Sequence, residues 1–301
     1  MVVDRRVSRS SRCRRPKHGK HGRYDVNGVY ETHRPDGWQH PFEDAVKAHD
    51  LIRRMDPYHP VAVTLNCQNY YFGPYTKGAD FIMHDPYPIG INSTFSKWGT
   101  ACNRTYGDCG CDNCAGVPWD VASRFDDASN YERWLGLWPK TKLFNPQTFH
   151  GEDYWFRDPT DEEGWAMNGL AWNHGAKGSI SWTWPASDRL GVSHGRLAKV
   201  VTTSPVVDLL LADGPHRFVA LEGRPLVDAA FWVRGSKMLV GIVNGGYVDI
   251  DEPVWVSVPN VTASSRMNGV VFGREKWEYL GLKLHVDRLP GLSTSLILLD
   301  L

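Results

Sequence analysis

Short apolar runs alternate with helix-like patterns between residues 25 and 205, and this alternation restricts the fold more than any other feature of the chain. The apolar runs lie at 26–31, 59–67, 79–89, 141–149 and 178–185. Strands that are apolar throughout are buried on both faces, which is typical of parallel strands covered by helices. The sequence therefore predicts an α/β domain here, with its chemistry at the carboxyl ends of the strands.

Helix signals lie between the apolar runs. Residues 42–55 and 128–138 carry apolar side chains near helical spacing. Thr160 and Glu163 form a capping box, which predicts the start of a further helix, and Gly175 marks its end. Helix is also predicted after the last apolar run, so strand and helix keep alternating through this part of the chain.

The pattern changes at about residue 206. Short apolar segments are now separated by Gly, Pro, Ser and Asn, and segment 233–238 has the composition of a hairpin turn. This pattern of short apolar segments and turn residues predicts an antiparallel β-sandwich of about 90 residues. The predicted domains are a tail at 1–24, a partial (β/α) barrel domain at 25–205 and a β-sandwich domain at 206–301.

The tail at 1–24 differs from the rest of the chain in charge. It holds nine Lys or Arg and one Asp, although the whole chain has a formal net charge of +0. It lacks apolar periodicity, so it is predicted to be disordered. No apolar segment follows the charges, as a signal peptide would require, and we therefore expect that a natural N-terminus is missing and that this tail stands in its place.

Four cysteines crowd one glycine-rich loop, at Cys102, Cys109, Cys111 and Cys114. A structural zinc site usually has two ligand pairs separated by many residues, so this spacing suits zinc poorly. Disulfides are predicted instead. Cys109 and Cys111 are too close to bond each other comfortably, so each is expected to reach Cys102, Cys114 or Cys67.

Three N-glycosylation sequons accompany the cysteines, at Asn92, Asn103 and Asn260. One of them lies within the cysteine loop itself. Clustered cysteines and sequons together favour the secretory route, where disulfides persist. The predicted location is therefore extracellular. No apolar run in the sequence approaches the length of a membrane span.

Several segments resemble a family of secreted fungal proteins with a glycoside hydrolase catalytic core. The similar segments span residues 34–301 and include "RPDGW", "GADFIMHDPYPIG", "TYGDCGCDNC", "YWFRDPTDEEGWAM" and "NHGAKGSISWTWP". The resemblance implies a (β/α)8 (TIM) barrel followed by a C-terminal β domain. It also implies that this chain starts at about the fourth barrel strand, so the barrel is an incomplete C-terminal half. Such a half exposes two strand edges, and oligomerisation or aggregation through them is expected.

The resemblance also implies where catalytic groups lie, because glycoside hydrolysis needs two carboxyl groups beside the scissile bond. The family pattern after the fourth strand reads Asp-Glu-Pro-Asp-Gly, with the Glu as proton donor, but Arg34 stands at that position here. An arginine is always charged and cannot donate this proton. Glu31 and Asp36 are nearby carboxylates that lie out of register. Asp85 is the best second carboxylate, unless it only caps the turn before Pro86.

Substrate-binding residues are expected at the same strand ends. Asn66 and Gln147 carry amides that can hydrogen-bond sugar hydroxyls, and Tyr87 can line a sugar subsite. Trp182 and Trp184 alternate along a strand, so only one of them can face the interior. The chain holds 13 Trp residues, an excess that suits stacking on the apolar faces of sugar rings. No cofactor and no metal are predicted.

Three functions are open from the sequence. The leading interpretation is a glycoside hydrolase that is truncated and impaired at the acid position. Arg34 favours the alternative, a non-catalytic carbohydrate-binding protein that uses the same cleft. Binding of nucleic acid would depend on the tail at 1–24 alone, and no nucleic-acid-binding module accompanies its charge. We therefore expect a carbohydrate partner, and neither nucleic acid nor a membrane.

Overall fold

The computed structural model describes most of the chain. The described residues are 25–26, 29–33, 35–36, 40–65, 68–91, 111, 114–149, 155–183, 185–212, 217–221 and 223–301. The chain divides into two units, each with segments from different parts of the sequence. The first unit comprises Met1–Gly116, Ser123–Arg157 and Gly178–Trp182, and the second comprises Val117–Ala122, Asp158–Lys177 and Thr183–Leu301. The predicted domain boundary between residues 205 and 206 stays a prediction.

A six-stranded sheet is the frame of the first unit. Its strands are β1 (Asp25–Val26), β2 (Val29–His33), β3 (Val61–Thr64), β4 (Phe81–His84), β5 (Thr141–Phe144) and β6 (Ala176–Ser179). They follow one another across the sheet in chain order. β1 pairs with β2 in antiparallel fashion, and β2 to β5 are parallel. The predicted α/β class with parallel strands is therefore confirmed.

Both faces of the sheet are buried at β3, β4 and β5, which explains why these strands read as continuous apolar runs. On one face, here called the inner face, Ala62, Met83 and Leu143 pack together. On the other, here called the helix face, Val63 and Ile82 pack with side chains of the helices. The alternation of side chains along each strand assigns neighbouring residues to opposite faces.

Three helices connect these strands. They are α1 (Phe42–Met55), α2 (Phe72–Thr76) and α3 (Trp119–Leu135), of which α3 begins in the second unit. A Cβ atom at Gly78 would lie 2.3 Å from the carbonyl oxygen of Ala45 in α1, so only glycine allows the chain to pass this close to the helix. The predicted helix at 42–55 is confirmed. The helix predicted at 128–138 starts at Trp119, where Asp120 in its first turn accepts from the backbone N–H of Val117.

The barrel predicted for residues 25–205 stays a prediction. In the part of the chain that the structure describes, β1 and β6 stand at the two ends of the strand order. The parallel ladder continues beyond β5 and β6, because Gln147 bridges Trp182 in parallel register. The frame is thus a run of neighbouring parallel strands whose carboxyl ends meet at one edge.

The second unit combines helices with antiparallel strands. Its helices are α4 (Asp161–Asn173), α5 (Asp188–Val201) and α6 (Val206–Leu210), and its strands are β7 (Arg217–Leu221), β8 (Arg224–Arg234), β9 (Lys237–Asn244), β10 (Val254–Ser257), β11 (Arg266–Phe272), β12 (Glu278–Leu280), β13 (Lys283–Val286) and β14 (Thr294–Asp300). The strands form one sheet in the order β11-β14-β9-β8-β7 and another in the order β10-β13-β12. Antiparallel strands from Arg217 onward are as predicted, whereas Val206–Leu210 are helical.

One apolar core joins the two antiparallel sheets. Its buried members include Phe231, Val240 and Ile297 from the five-stranded sheet and Val256 and Leu284 from the three-stranded sheet. In β10 the apolar residues Val254 and Val256 face this core and alternate with outward ones. Strands β9 and β14 are buried on both faces. This arrangement is the sheet-on-sheet packing of a β-sandwich.

Helix α4 is buried along almost its whole length. Its predicted capping box is confirmed, because the Thr160 side chain accepts from the Glu163 backbone and the Glu163 carboxylate accepts from the Thr160 N–H. The helix packs against β8, β9 and β14. A Cβ atom at Gly169 would lie 2.8 Å from Val243 Cγ2, so glycine permits this close approach. Among the described residues, no helix combines the length and the apolar character that a membrane crossing needs.

Candidate functional site

The carboxyl ends of β3, β4 and β5 bring buried polar groups together at one edge of the first unit's sheet. Asp85 follows β4 directly and is only 6% exposed, and Asn145 follows β5 and is only 3% exposed. Both continue the alternation of the inner face, two residues after Met83 and Leu143 respectively. A side-chain amide of Asn145 donates to Met83 Sδ at 3.6 Å, which fixes it on that face.

Tyr87 is bound to Asn145 at this edge. Its hydroxyl donates to Asn145 Oδ1 at 2.9 Å, and the residue is only 1% exposed. The carbonyl of Tyr87 accepts from the Trp155 indole N–H at 2.8 Å. The loop after β4, which carries Asp85, is therefore held by side chains from the segments that follow β5.

The side-chain amide of Gln147 holds the same loop in place through hydrogen bonds. Its Oε1 accepts from the Ile89 N–H at 3.1 Å, and its Nε2 donates to the Ile89 carbonyl at 2.9 Å. The residue is fully buried. Both polar atoms of the amide thus have a backbone partner, and they position the loop; the sugar-binding role of Gln147 stays a prediction.

Aromatic rings cover this edge of the sheet. Tyr87, Phe149 and Trp155 form a buried cluster with Trp182 and Ile91 packed against it. The Phe149 ring lies edge-on to both Tyr87 and Trp155, with centroid distances of 5.0 Å in each case. Trp182 is partly exposed and is hydrogen-bonded through its backbone to Pro146 and Thr148. Of the predicted residues, Asp85, Tyr87, Gln147 and Trp182 thus share one region.

The hydroxyl of Thr64 has no hydrogen-bond partner within the described part of the chain, although it is buried. Thr64 ends β3 and lies in register with Met83, on the inner face. Leaving a buried hydroxyl unpaired costs free energy, so such a group is rarely retained for stability. Neither Thr64 nor Asn145 was expected from the sequence, although Asn145 could have been found because the dipeptide Asn-Pro ends the β5 run.

Of the two carboxylates expected near residue 34, one lies within strand β2 and the other in the turn that follows it. Glu31 belongs to β2 and is in register with Ala62, two residues before the end of the strand. Asp36 is fully buried beside Tyr75. Burial, followed by the negative charge of Asp36, raises the pKa of Tyr75 to about 12. The Tyr75 hydroxyl donates to the His40 carbonyl at 2.9 Å. The catalytic roles of Glu31 and Asp36 stay predictions.

A separate polar group lies on the helix face of the same sheet. The ring of His84 is 5.0 Å from that of Phe125 in α3, and its Nε2 has no partner in the described residues. Burial, and then the charges of Arg124 and Lys142, hold the pKa of His84 well below its ordinary value of 6.5. Lys142 makes a buried 2.6 Å ion pair with Glu132. His84 therefore stays neutral and is not directed to the inner face.

Several predicted residues lie outside the described part of the chain. These are Arg34, Asn66, Cys67, Asn92, Cys102, Asn103, Cys109 and Trp184, together with the tail at 1–24. Cys111 and Cys114 form a disulfide, with their Cα atoms 5.6 Å apart. Asn260 is exposed in a turn with φ 57°. The described residues contain no group of three or more His, Cys, Asp or Glu side chains that could hold a metal ion.

Neither a protein-family model nor a curated protein sequence matches the chain. Solved glycoside hydrolase structures do match. A debranching enzyme of Nostoc punctiforme, soaked with acarbose, has a TM-score of 0.53 at 12% identity, over 90% of this chain and 56% of that chain. An α-amylase of Anoxybacillus has a TM-score of 0.53 at 8% identity, over 91% of this chain and 59% of that chain.

This chain thus spans less than two thirds of the length of the two enzymes. At 8% to 12% identity, the similarity concerns the fold. The shared feature is an α/β frame with parallel strands, accompanied here by antiparallel sheets. In frames of this kind, ligands bind at the carboxyl ends of the strands. The region of Asp85, Tyr87 and Asn145 lies at that edge.

Proposed function

We propose that the protein acts on carbohydrates as a glycoside hydrolase, with Asp85 as a carboxylate that acts on the glycosidic bond. The observation that carries the proposal is the position of Asp85, which is buried directly after the parallel strand β4. A glycosidase uses a pair of carboxyl groups, one as acid and one as nucleophile or base. The fold similarity to a debranching enzyme and an α-amylase supports the same class of substrate.

The surroundings of Asp85 suit a sugar. Amide and phenol groups of Asn145 and Tyr87 line the same edge, and Trp155 and Trp182 add indole rings. Indole rings pack well against the apolar faces of sugars, and amides hydrogen-bond hydroxyl groups. We further propose that the natural enzyme is secreted, belongs to the fungal family that the sequence resembles, and is impaired here because Arg34 replaces the expected Glu.

The experiment is a hydrolysis assay with aryl glycosides, whose leaving groups need little protonation, and with the corresponding oligosaccharides. We expect weak turnover of the aryl substrates, and Asp85→Asn should lower it by about 10²- to 10⁴-fold. Asp50→Asn is the matched control, because its side chain is 59% exposed on α1. Arg34→Glu should raise turnover of the oligosaccharides more than that of the aryl glycosides. Turnover that Asp85→Asn leaves unchanged would contradict the catalytic role of Asp85.

The alternative is a carbohydrate-binding protein without catalysis, which the presence of Arg34 favours. It predicts that an oligosaccharide binds at the Asp85 region without being cleaved, and that Arg34→Glu restores no turnover. Calorimetric binding measured beside the hydrolysis assay separates the two functions. Binding weakened by Asn145→Ala, without turnover in any variant, would favour this alternative.

A further inference from the structure

The outer surface of the three-stranded sheet in the second unit carries an exposed tryptophan, Trp255. Trp255 of β10 is in register with His285 of β13, which is in register with Glu278 of β12. In the next outward row, Ser257 of β10 is in register with Lys283 of β13, which is in register with Leu280 of β12. We call this surface the Trp255 face, and it comprises Trp255, Ser257, Glu278, Leu280, Lys283 and His285.

Packing does not explain the position of Trp255. Its neighbours Val254 and Val256 are each 3% exposed and belong to the sandwich core, whereas Trp255 points outward and is 48% exposed. The ring of His285 lies 4.2 Å from the indole ring and is tilted by 36°, so it covers one side of the indole. About half of the Trp255 side chain remains exposed to solvent. A large apolar ring left exposed beside a partner that orients it is suited to stacking.

Hydrogen-bonding groups surround the exposed indole. Ser257, Glu278 and Lys283 lie on the same face in register positions, and the carboxylate of Asp287 is 3.6 Å from His285 Nε2. Neighbouring strands are about 4.8 Å apart, so the row from Trp255 to Glu278 spans about 10 Å across the sheet. The charged groups here are the Lys283 ammonium and the carboxylates of Glu278 and Asp287, so the surface carries no excess of positive charge. Acidic ligands are therefore disfavoured.

We propose that the Trp255 face binds a neutral oligosaccharide, with one sugar ring stacked on the indole of Trp255 and its hydroxyls bonded to Glu278 and neighbouring side chains. This would be a second carbohydrate site, without catalysis, within the β-sandwich. The choice of a carbohydrate as the ligand rests on the proposed function. The exposure and strand register of the face are independent of that proposal. A flat aromatic surface of this kind suits an extended glycan better than a buried single sugar.

The test uses the full chain and three probes: maltoheptaose, xylohexaose and chitohexaose. Isothermal titration calorimetry should detect binding of at least one probe, with a change in indole fluorescence. Trp255→Ala should weaken that binding at least tenfold and remove the fluorescence change. Glu278→Gln, which leaves the indole in place, should weaken it by a smaller factor. Trp138→Ala is the matched control, because Trp138 is an 85% exposed tryptophan of the first unit, and it should bind normally.

Asp85→Asn separates this site from the proposed active site, because it should lower turnover by about 10²- to 10⁴-fold and leave the Trp255-dependent binding unchanged. Equal thermal unfolding midpoints of wild type and Trp255→Ala would show that the variant is folded. Three outcomes would overturn the proposal: no binding of any probe, binding that Trp255→Ala leaves intact, or a dimer in light scattering that Trp255→Ala dissociates. The last outcome would assign the face to a second copy of the chain.

Discussion

The two units bury their polar side chains in different places. The parallel sheet of the first unit buries polar groups at its carboxyl edge, among them Thr64, Asp85, Asn145 and Gln147. In the second unit the core between the antiparallel sheets is apolar, and polar side chains such as Asp228 and Thr294 are buried on the side that faces α4. Burial of an apolar side chain stabilises a fold directly, whereas a buried polar group does so only when it is fully hydrogen-bonded.

The polar groups of the first unit lie at the carboxyl ends of parallel strands, which is the part of the chain that we propose for function. A hydroxyl without a partner, such as that of Thr64, costs stability where it stands. The buried hydroxyls of Ser193, Tyr279, Ser293 and Thr294 in the second unit also lack a partner among the described residues. Substitutions in the two regions should change stability and activity by unequal amounts, and these effects test the comparison.

The largest effect is expected in the sandwich core. Phe231 is 1% exposed within that core, and Phe231→Ala removes apolar contacts and leaves a cavity. It should lower the free energy of unfolding by about 3–5 kcal/mol in urea denaturation. Val233→Ala on the same strand is the control, because Val233 is 38% exposed and its loss should cost less than about 1 kcal/mol. Equal effects of the two variants would contradict the assigned core.

A smaller effect on the free energy of unfolding is expected from the protonation of the buried His84 as the pH changes. Its pKa in the folded chain is well below 6.5, so below pH 6.5 the unfolded chain binds a proton that the folded chain does not. Stability should therefore be full above about pH 6.5 and fall by about 1.4 kcal/mol per pH unit below it, until the folded pKa is reached.

Hydrogen exchange measured by mass spectrometry over β4 at pH 7.5 and 5.5 would follow this loss. His84→Leu should remove the part of the pH dependence that belongs to the first unit. His194 in α5 is the counterpart in the second unit, because burial also lowers its pKa, against a smaller opposing effect of Asp161. A variant His84→Leu with unchanged pH dependence in β4 would show that another group titrates there.

The smallest effect is a gain in stability. Thr64→Val replaces the unpartnered hydroxyl by a methyl group of similar size, so it should raise the free energy of unfolding by about 1 kcal/mol. Thr141→Val on β5 is the control, because Thr141 is exposed and its change should stay within about 0.5 kcal/mol. Any turnover of glycosides should decrease in Thr64→Val alone. Loss of stability in Thr64→Val would mean that the hydroxyl is hydrogen-bonded.

Much of the frame could be predicted from the sequence, because burial on both faces leaves continuous apolar runs. The runs at 59–67, 79–89 and 141–149 contain β3, β4 and β5, and the capping box at Thr160 begins α4. The five-residue helix α2 gave no periodic signal, because it is too short to repeat an apolar face. The early start of α3 was missed because polar residues at Ser123, Arg124, Asp126 and Asp127 interrupt the apolar pattern before residue 128.

The candidate site could be predicted only in part. Residues that follow a strand, such as Asp85 and Gln147, can be located from the end of an apolar run. Their partners cannot, because the bonds of Tyr87 to Asn145 and of Gln147 to Ile89 join residues that are 58 positions apart. The exposed position of Trp255 is equally hidden, since only strand register and burial distinguish it from the core residues beside it.

The burial of α4 has a consequence for synthesis on the ribosome. The helix is buried from Glu163 to Asn173, and the strands that cover it, β8, β9 and β14, are translated later, with β14 ending at Asp300. At about 5–20 residues per second, this delay is on the order of ten seconds. During that interval the nascent helix presents uncovered apolar surface, so we expect chaperones that bind such surface to determine the yield of folded protein.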